Sequence, residues 1–246
     1  MLSIVIPTLQ KNKIVLENLV KTLSQDSVVD EIIIIDNSLK GLDFNYPKLK
    51  TIIPSENLFV NKSWNLGVKE AKNEIIGLLN DDILISENFC SQVFSKINKN
   101  MGIIGFNSED FMIVKQDITN EKPQNSEISL EPIQYMDRYF GVAMFFNKKS
   151  YKNIPEDIKI VYGDCWLIHH NNKQKRVNYR INGQKIFHIG SLSSGSKSLS
   201  EICENDAKLY KKYTLSWFER MFSFEEHRDC YKLRLLGVTT KFKKKK

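Results

Sequence analysis

The feature that most constrains the fold is an apolar run, Ile75–Leu79, that stops at Asn80-Asp81-Asp82. A short apolar run bounded by polar residues is typical of a strand buried in a sheet. In open α/β sheets, ligands bind beyond the carboxyl ends of the strands. Adjacent carboxylates placed there suit Mg²⁺ or Mn²⁺, which also hold substrate phosphates. Because Asn and Asp are common in ordinary turns, the triplet alone leaves a structural role equally open.

Short apolar runs alternate with amphipathic stretches over the first hundred residues. Strands are predicted at residues 3–6, 32–35, 51–53, 75–79 and 102–106, and helices at 14–23, 61–72 and 86–97. This alternation favours an α/β fold in which a mostly parallel central sheet is flanked by helices. Further strands are predicted at 139–146 and 185–189, and a helix at 165–170. Residues 108–134 show no period and are predicted to form a long loop.

The positive charge is concentrated at the end of the chain. The last forty of the 246 residues carry 12 Lys+Arg against 4 Asp+Glu, whereas residues 1–206 have a balance of −1, so the net charge of +7 comes from the tail. The spacing of apolar residues between 199 and 224 predicts a long amphipathic helix. We therefore predict one domain over residues 1–198 and an amphipathic helical, basic extension over 199–246.

Cysteine usage and hydropathy indicate a cytoplasmic protein. The four cysteines are widely scattered and show no metal-ligand spacing. No apolar stretch approaches the roughly 20 residues that cross a bilayer, and the first residues lack the pattern of a signal peptide. Basic residues interleaved with aromatic ones in the tail suit an anionic membrane surface, at the inner face of the membrane. The alternative is a helix packed on the body of the protein with a solvated lysine end. We find no base-reading motif, so no nucleic acid is expected as a partner.

Several further motifs accompany the triplet in a fixed order. They are Ile4-Val5-Ile6-Pro7-Thr8, Ile35-Asp36-Asn37-Ser38, Asn65-x-Gly67 with Ala71, Leu79-Asn80-Asp81-Asp82, Tyr162-Gly163-Asp164 and His188-x-x-Ser191. In this order and with these gaps, the chain resembles the family 2 glycosyltransferases, from residue 3 to about residue 194. The resemblance implies the GT-A fold, the Rossmann-like fold of nucleotide-diphospho-sugar transferases, as a single domain.

The resemblance also implies a site for the nucleotide of a sugar donor. Pro7-Thr8 would end the first strand beneath the nucleotide, and Asp36 would accept a hydrogen bond from the base or a ribose hydroxyl. For Asn65 and Gly67, a purely structural role is an open alternative. The residues expected at the donor nucleotide are Pro7, Thr8, Asp36, Asn65, Gly67, Asn80 and Asp81.

The triplet occupies the position of the family's D-x-D metal-binding motif, with Asn80 replacing the first Asp. By this resemblance Asp82 is the metal ligand, and His188 completes the shell around Mn²⁺ or Mg²⁺. Asn80 or Asp81 would hold the ribose or a metal-bound water. The serines after His188 are expected to bind the diphosphate through backbone N–H and hydroxyl groups, with a mobile linker as the alternative. These serines are Ser191, Ser193 and Ser194.

Asp164 is the expected general base. The family usually places an acidic pair here, whereas this chain has Gly163-Asp164-Cys165, so Asp164 is the single carboxylate of the motif. It would take the proton of an acceptor hydroxyl that attacks the anomeric carbon in one inverting displacement. A role as the N-cap of the following helix is the structural alternative.

These expectations predict a metal-dependent, inverting glycosyltransferase. It would move a sugar from a UDP- or dTDP-sugar to a hydroxyl of a glycan or glycolipid acceptor, in the assembly of surface polysaccharide or lipooligosaccharide. Asn80 and the missing second acid leave a non-catalytic sugar-nucleotide-binding protein as an alternative. A sugar-nucleotide nucleotidyltransferase is a second alternative, which the absence of glycine from residues 7–13 disfavours.

Overall fold

The structure is a computed structural model that describes residues 1–106, 111–114, 123, 125–133, 140–189, 197–226, 230–236 and 238–243. The helices of the described residues are α1 (Lys13–Gln25), α2 (Phe59–Glu70), α3 (Phe89–Lys96), α4 (Gly163–Lys173), α5 (Lys197–Thr214) and α6 (Trp217–Met221). The first seven strands are β1 (Leu2–Thr8), β2 (Val29–Asp36), β3 (Leu49–Ile52), β4 (Ile75–Leu79), β5 (Ile83–Leu84), β6 (Ile104–Phe106) and β7 (Phe111–Val114). The other strands are β8 (Ser129–Pro132), β9 (Ala143–Asn147), β10 (Tyr179–Asn182), β11 (Ile186–Ile189), β12 (Phe222–Glu226), β13 (Cys230–Leu235) and β14 (Val238–Lys243).

The central sheet of the described residues has the strand order β3-β2-β1-β4-β9-β6-β10-β8. Strands β3, β2, β1 and β4 pair in parallel, as do β6 and β10. Strand β9 runs antiparallel to β4 and β6, and β8 runs antiparallel to β10. The predicted α/β fold with a mostly parallel central sheet is therefore confirmed. The strand order reverses at β1, so the ends of β1 and β4 border the crevice where such sheets bind ligands.

Both faces of the central sheet are buried. Along β1, Ile4 and Ile6 pack with α1 and α3 on one face, whereas Val5 packs with α2 and α4 on the other. Strand β2 repeats this arrangement, because Ile32 and Ile34 face the first layer of helices and its other isoleucines face the second. Burial on two faces explains why these strands read as continuous apolar runs rather than alternating ones.

The chain after residue 198 differs from the predicted long helix. Helix α5 ends at Thr214, and Ser216 begins the short helix α6 with a capping box that includes Glu219. Beyond α6, strands β12, β13 and β14 form an antiparallel sheet. The extension is therefore helical only in its first part, because apolar residues recur every second position after residue 221, which is the period of a strand. No helix in the described ranges is long and apolar enough to span a membrane.

The middle of the chain also differs from the sequence prediction. The strand predicted at 139–146 is a 3₁₀ turn, Phe140–Val142, followed by β9. Within the predicted loop 108–134, the structure forms β7 and β8, and the remainder lies largely outside the described residues. Strand β7 pairs in parallel with β11, which itself pairs antiparallel with β5, and these strands make a small second sheet that carries His188.

Candidate active site

The ends of β1 and β4 bring Thr8 and Asp81 together. Val5 of β1 pairs with Leu78 of β4, so the residues three positions further along lie side by side. The Thr8 hydroxyl donates a hydrogen bond of 2.6 Å to Asp81 Oδ2. Burial raises the pKa of Asp81 to about 6, although the bond from Thr8 acts in the opposite direction. The triplet after β4 therefore faces the end of β1, as the sequence predicts.

Asp82 and His188 lie next to each other across the small sheet. The distance from Asp82 Oδ1 to His188 Nε2 is 3.1 Å, and the Ile189 N–H donates to the Asp82 carbonyl oxygen at 2.9 Å. Although close to the imidazole, the buried Asp82 Oδ1 has no hydrogen bond of good geometry among the described residues. Asp82 Oδ1 and the neighbouring imidazole nitrogen are together a suitable pair of ligands for a cation.

The spacing of the two side chains fits a divalent metal ion. With metal–ligand bonds of about 2.1 Å, two ligands at right angles lie about 3.0 Å apart. No cluster of three or more His, Cys, Asp or Glu side chains that could hold a metal ion occurs in the described part of the chain. A cation seated by Asp82 and His188 would therefore take its other ligands from substrate phosphates and water, as Mg²⁺ commonly does.

Asp164 is the second residue of α4 and faces the cleft. Its Oδ1 accepts the N–H of Cys165 at 2.8 Å, and the backbone of Gly141 also donates to the carboxylate. Burial nevertheless raises the pKa of Asp164, because it outweighs these hydrogen bonds. A raised pKa makes the carboxylate a stronger base, which suits a group that must remove a proton from a hydroxyl.

Position 163, directly before Asp164, is sterically restricted to glycine. A Cβ atom at Gly163 would lie 2.2 Å from Asn61 Oδ1 and 2.9 Å from the ring of Trp64. Asn61 is itself fixed, because its Nδ2 donates to the carbonyl oxygens of Ile158 at 3.0 Å and Val161 at 3.3 Å. Position 163 thus has no room for a side chain unless Asn61 or Trp64 moves.

A cavity of about 790 Å³ joins these groups. Of the predicted site residues, those that line it are Pro7, Thr8, Asn80, Asp81, Asp82, Asp164 and His188. Strand ends, the start of α4 and the small second sheet therefore contribute to one cleft. The cleft brings the predicted base and the predicted metal ligands together.

Asp36 does not line the cavity. Its Oδ1 accepts the N–H and hydroxyl of Ser38 at 2.9 and 2.6 Å, and its Oδ2 accepts Gln10 Nε2 and the Gly41 N–H at 2.9 and 2.8 Å. Burial opposes ionisation, but these hydrogen bonds outweigh it and lower the pKa of Asp36. The carboxylate thus fixes the loop after β2, and its contact with a nucleotide stays a prediction. The adjacent Asn37 does line the cavity.

Asn65 and Gly67 also do not line the cavity. Both make structural contacts, and their contact with a nucleotide stays a prediction. Asn65 Oδ1 accepts the Tyr151 hydroxyl at 2.8 Å and the Ile154 N–H at 2.9 Å, while its Nδ2 donates to the Ile154 carbonyl at 2.8 Å. At Gly67 an added Cβ would lie 2.1 Å from Val5 Cγ1. Gly67 therefore permits close contact between α2 and β1.

Other parts of the site follow less directly from the sequence. The predicted diphosphate ligands Ser191, Ser193 and Ser194 lie outside the described residues. Three cavity residues come instead from α5, namely Leu199, Ile202 and Cys203. Their i, i+3, i+4 spacing gave an amphipathic signal, but a periodic pattern does not identify what its apolar face covers.

The family model described as glycosyl transferase family 2 matches residues 3–174. The chain belongs to glycosyl transferase family 2, so the predicted family and the class of enzyme, a glycosyltransferase, are confirmed. No curated protein sequence matches the chain significantly.

Solved structures share the fold at low sequence identity. TarS residues 1–349 from S. aureus has a TM-score of 0.52 at 12% identity, over 89% of this chain and 74% of that chain. The same protein in complex with UDP-GlcNAc has a TM-score of 0.57 at 14% identity, over 87% of this chain and 68% of that chain. A third similar structure is the mannosyltransferase PcManGT from Pyrobaculum calidifontis in complex with GDP-Man and Mn²⁺. It has a TM-score of 0.52 at 12% identity, over 78% of this chain and 58% of that chain. These are GT-A glycosyltransferases, and the likeness shows the fold.

Proposed function

We propose that the protein transfers a sugar from a nucleotide-diphosphate sugar, a UDP- or dTDP-sugar, to a hydroxyl of a glycan or glycolipid acceptor, with inversion at the anomeric carbon. The observation that carries the proposal is the shared cavity, in which Asp164 lies with the Asp82–His188 pair. The similar structures in complex with UDP-GlcNAc and with GDP-Man support this class of donor. Surface polysaccharide or lipooligosaccharide assembly is the setting we propose.

In this proposal Asp164 removes the proton of the acceptor hydroxyl. The hydroxyl oxygen forms the new bond to the anomeric carbon while the bond to the donor diphosphate breaks. The Cys165 and Gly141 backbone donors hold the carboxylate in place, and the absence of a side chain at Gly163 leaves Asp164 as the one acid of its motif. Positioned general bases contribute about 10²–10⁴ in rate.

Asp82 and His188 are the residues that would hold Mn²⁺ or Mg²⁺. When bound, such a cation neutralises charge on the donor diphosphate as a Lewis acid. Asn80 and Asp81 line the same end of the cavity and are proposed to bind the ribose or a metal-bound water. Asn80 replaces the first carboxylate of a D-x-D motif, whereas Asp81 places one at the middle position, so the triplet keeps two acidic side chains.

The test is a donor panel. Purified protein is incubated with UDP-, dTDP- and GDP-linked sugars, with Mn²⁺ or with EDTA, and release of the nucleoside diphosphate is measured. We expect Mn²⁺-dependent hydrolysis of one UDP- or dTDP-sugar. Nucleotide binding without turnover of any donor would instead support the sugar-nucleotide-binding alternative, and release of pyrophosphate from a nucleoside triphosphate and a sugar phosphate would support the nucleotidyltransferase.

We also propose that the C-terminal sheet contacts an anionic membrane. The strand register places seven apolar residues on one face, together with the polar Thr240. The seven are Phe222, Phe224, Tyr231, Leu233, Leu235, Val238 and Phe242. Four of these are between 49% and 69% exposed, namely Phe224, Leu235, Val238 and Phe242. The other face carries the exposed Lys241 and Lys243. Exposed aromatic residues beside lysines suit the boundary between anionic headgroups and acyl chains.

Vesicle co-sedimentation tests the membrane proposal. We expect binding to vesicles with about one-third anionic lipid, weaker binding to neutral vesicles, and loss of binding in Phe224→Ser/Phe242→Ser. The matched control is Val177→Ser, which changes an exposed apolar residue elsewhere. Absence of vesicle binding would refute the proposal, and a dimer that this double variant dissociates would show that a second copy covers the apolar face.

A further inference from the structure

Helix α5 lies beyond the residues that the family model matches, yet it carries a buried carboxylate. Asp206 is fully buried, whereas most of α5 is exposed or half-buried. A buried carboxylate is costly unless hydrogen bonds satisfy it. The Asp206 side chain must therefore have a specific set of donors.

These donors are three successive backbone amides. Asp206 Oδ1 accepts the Lys159 N–H at 3.0 Å, and Oδ2 accepts the N–H groups of Ile160 at 2.8 Å and Val161 at 3.1 Å. Hydrogen bonds from backbone amides to an ionised acceptor are stronger than bonds between neutral groups. One side chain of α5 thus fixes the backbone of residues 159–161, and Ile160 and Val161 line the cavity wall.

The same segment is fixed on its other side by α2. The Val60 and Asn61 N–H groups donate to the Lys159 carbonyl at 3.1 and 3.0 Å. The Asn61 side chain donates to two further carbonyls of the segment. Residues 158–161 are therefore held between α2 and Asp206, immediately before the turn at Tyr162, whose φ of 66° leads into α4.

A second contact of α5 lies one turn further along the helix. The Tyr210 ring stacks on Tyr162, with centroids 5.1 Å apart and an angle of 20°, and the Tyr210 hydroxyl donates to the Cys165 carbonyl at 3.4 Å. Tyr162 and Cys165 flank Gly163-Asp164 in the chain. One face of α5 thus contacts the residues on both sides of the proposed base.

We propose that Asp206 is a positioning residue for Asp164: by clamping the amides of residues 159–161, it sets where α4 begins and where the base carboxylate lies. The proposal rests on the proposed function, and it makes α5 a part of the catalytic unit rather than an appendage. A carboxylate displaced by about 1 Å costs about 10²-fold in rate. Loss of the clamp should therefore lower kcat more than it weakens donor binding, since Asp206 does not line the cavity.

The test compares Asp206→Asn with Glu204→Gln, which neutralises an exposed acid on the same helix. We expect Asp206→Asn to lower kcat about 10- to 100-fold with donor KM and UDP affinity within about threefold of wild type. Hydrogen exchange of residues 159–164 should become faster. Glu204→Gln should match wild type in all these measurements.

The outcomes separate this inference from the proposed function. A folded Asp206→Asn with kcat within about twofold of wild type, or with unchanged exchange of residues 159–164, overturns the inference and leaves the proposed function intact. Wild-type protein that turns over no donor refutes the proposed function. Hydrogen exchange of residues 159–164 in Asp206→Asn then tests by itself whether Asp206 holds this segment in place. Should Asp206→Asn not fold, Asp206→Glu replaces it, because its longer side chain displaces the carboxylate from the three amides. A lowered kcat and faster exchange are then expected, and wild-type values for both would contradict the inference.

Discussion

His188 Nε2 lies 3.1 Å from Asp82 Oδ1, although 106 positions separate the two residues in the chain. The antiparallel pairing of β5 with β11 produces this contact, because His188 pairs with Ile83, the residue next to Asp82. The small second sheet therefore brings together the two proposed metal ligands, which lie far apart in the sequence.

Removing either member of this pair should weaken metal binding. Asp82→Asn and His188→Gln are each expected to raise the Mn²⁺ concentration that half-saturates Mn²⁺-dependent UDP binding by at least about tenfold, because one ligand is lost. Isothermal titration calorimetry measures this without requiring turnover. His170→Gln is the matched control, since that imidazole bonds to Gln174 outside the cavity. Equal Mn²⁺ dependence in all four proteins would contradict the assignment.

Asp164→Asn should stabilise the protein at neutral pH. Burial raises the pKa of Asp164 in the folded state, so the folded protein binds this proton more tightly than the unfolded chain, and stability falls as pH rises through the folded pKa. Asparagine does not titrate, so the variant avoids this loss.

Thermal unfolding in EDTA at pH 8 and at pH 4.5 measures the effect. We expect a higher Tm for Asp164→Asn than for wild type at pH 8 and a smaller difference at pH 4.5. Glu201→Gln, an exposed acid on α5, should show no such gain at pH 8. A lower Tm for Asp164→Asn at pH 8 would show that ionised Asp164 stabilises the fold.

Gly67→Ala should destabilise the protein although Gly67 lies inside a helix. Alanine is normally favoured over glycine there by about 1 kcal/mol, but the added methyl group would lie 2.1 Å from Val5 Cγ1, and overpacking costs about 1–3 kcal/mol. Urea unfolding should show the loss, with UDP affinity unchanged. In a Val5→Ala background the same substitution should be neutral or stabilising. A decrease in UDP affinity in a stable Gly67→Ala protein would favour the predicted nucleotide contact.

The sequence predicted the fold well wherever local pattern and burial agree. Ile75–Leu79 is a strand with the predicted bounds. A short apolar run that polar residues end on both sides is typical of a strand buried in a parallel sheet. The tail was less predictable. Apolar residues at 217, 221 and 224 continue the helical spacing of α5, whereas the cap at Ser216 and the pairing of β12 with β13 decide the structure.

The roles of some site residues follow from their position in the chain, whereas the roles of others depend on partners that are distant in the sequence. Thr8, Asp81 and Asp82 follow strand ends, so their meeting at one edge of the sheet could be predicted from order alone. Asn65 could not be assigned in this way, because its partners Tyr151 and Ile154 lie more than 80 positions away. Asp206 gave no sequence signal, since a single acid on an amphipathic helix looks like a solvated residue until its three amide donors are seen.

The most direct test of the account is the turnover of Asp164→Asn beside wild type, with the donor that the panel identifies and with UDP binding measured in both proteins. We predict that kcat falls by about 10²–10⁴ while UDP affinity stays within about threefold, because the substitution removes the base and leaves the Asp82–His188 pair intact. Equal turnover in the two proteins would contradict the account.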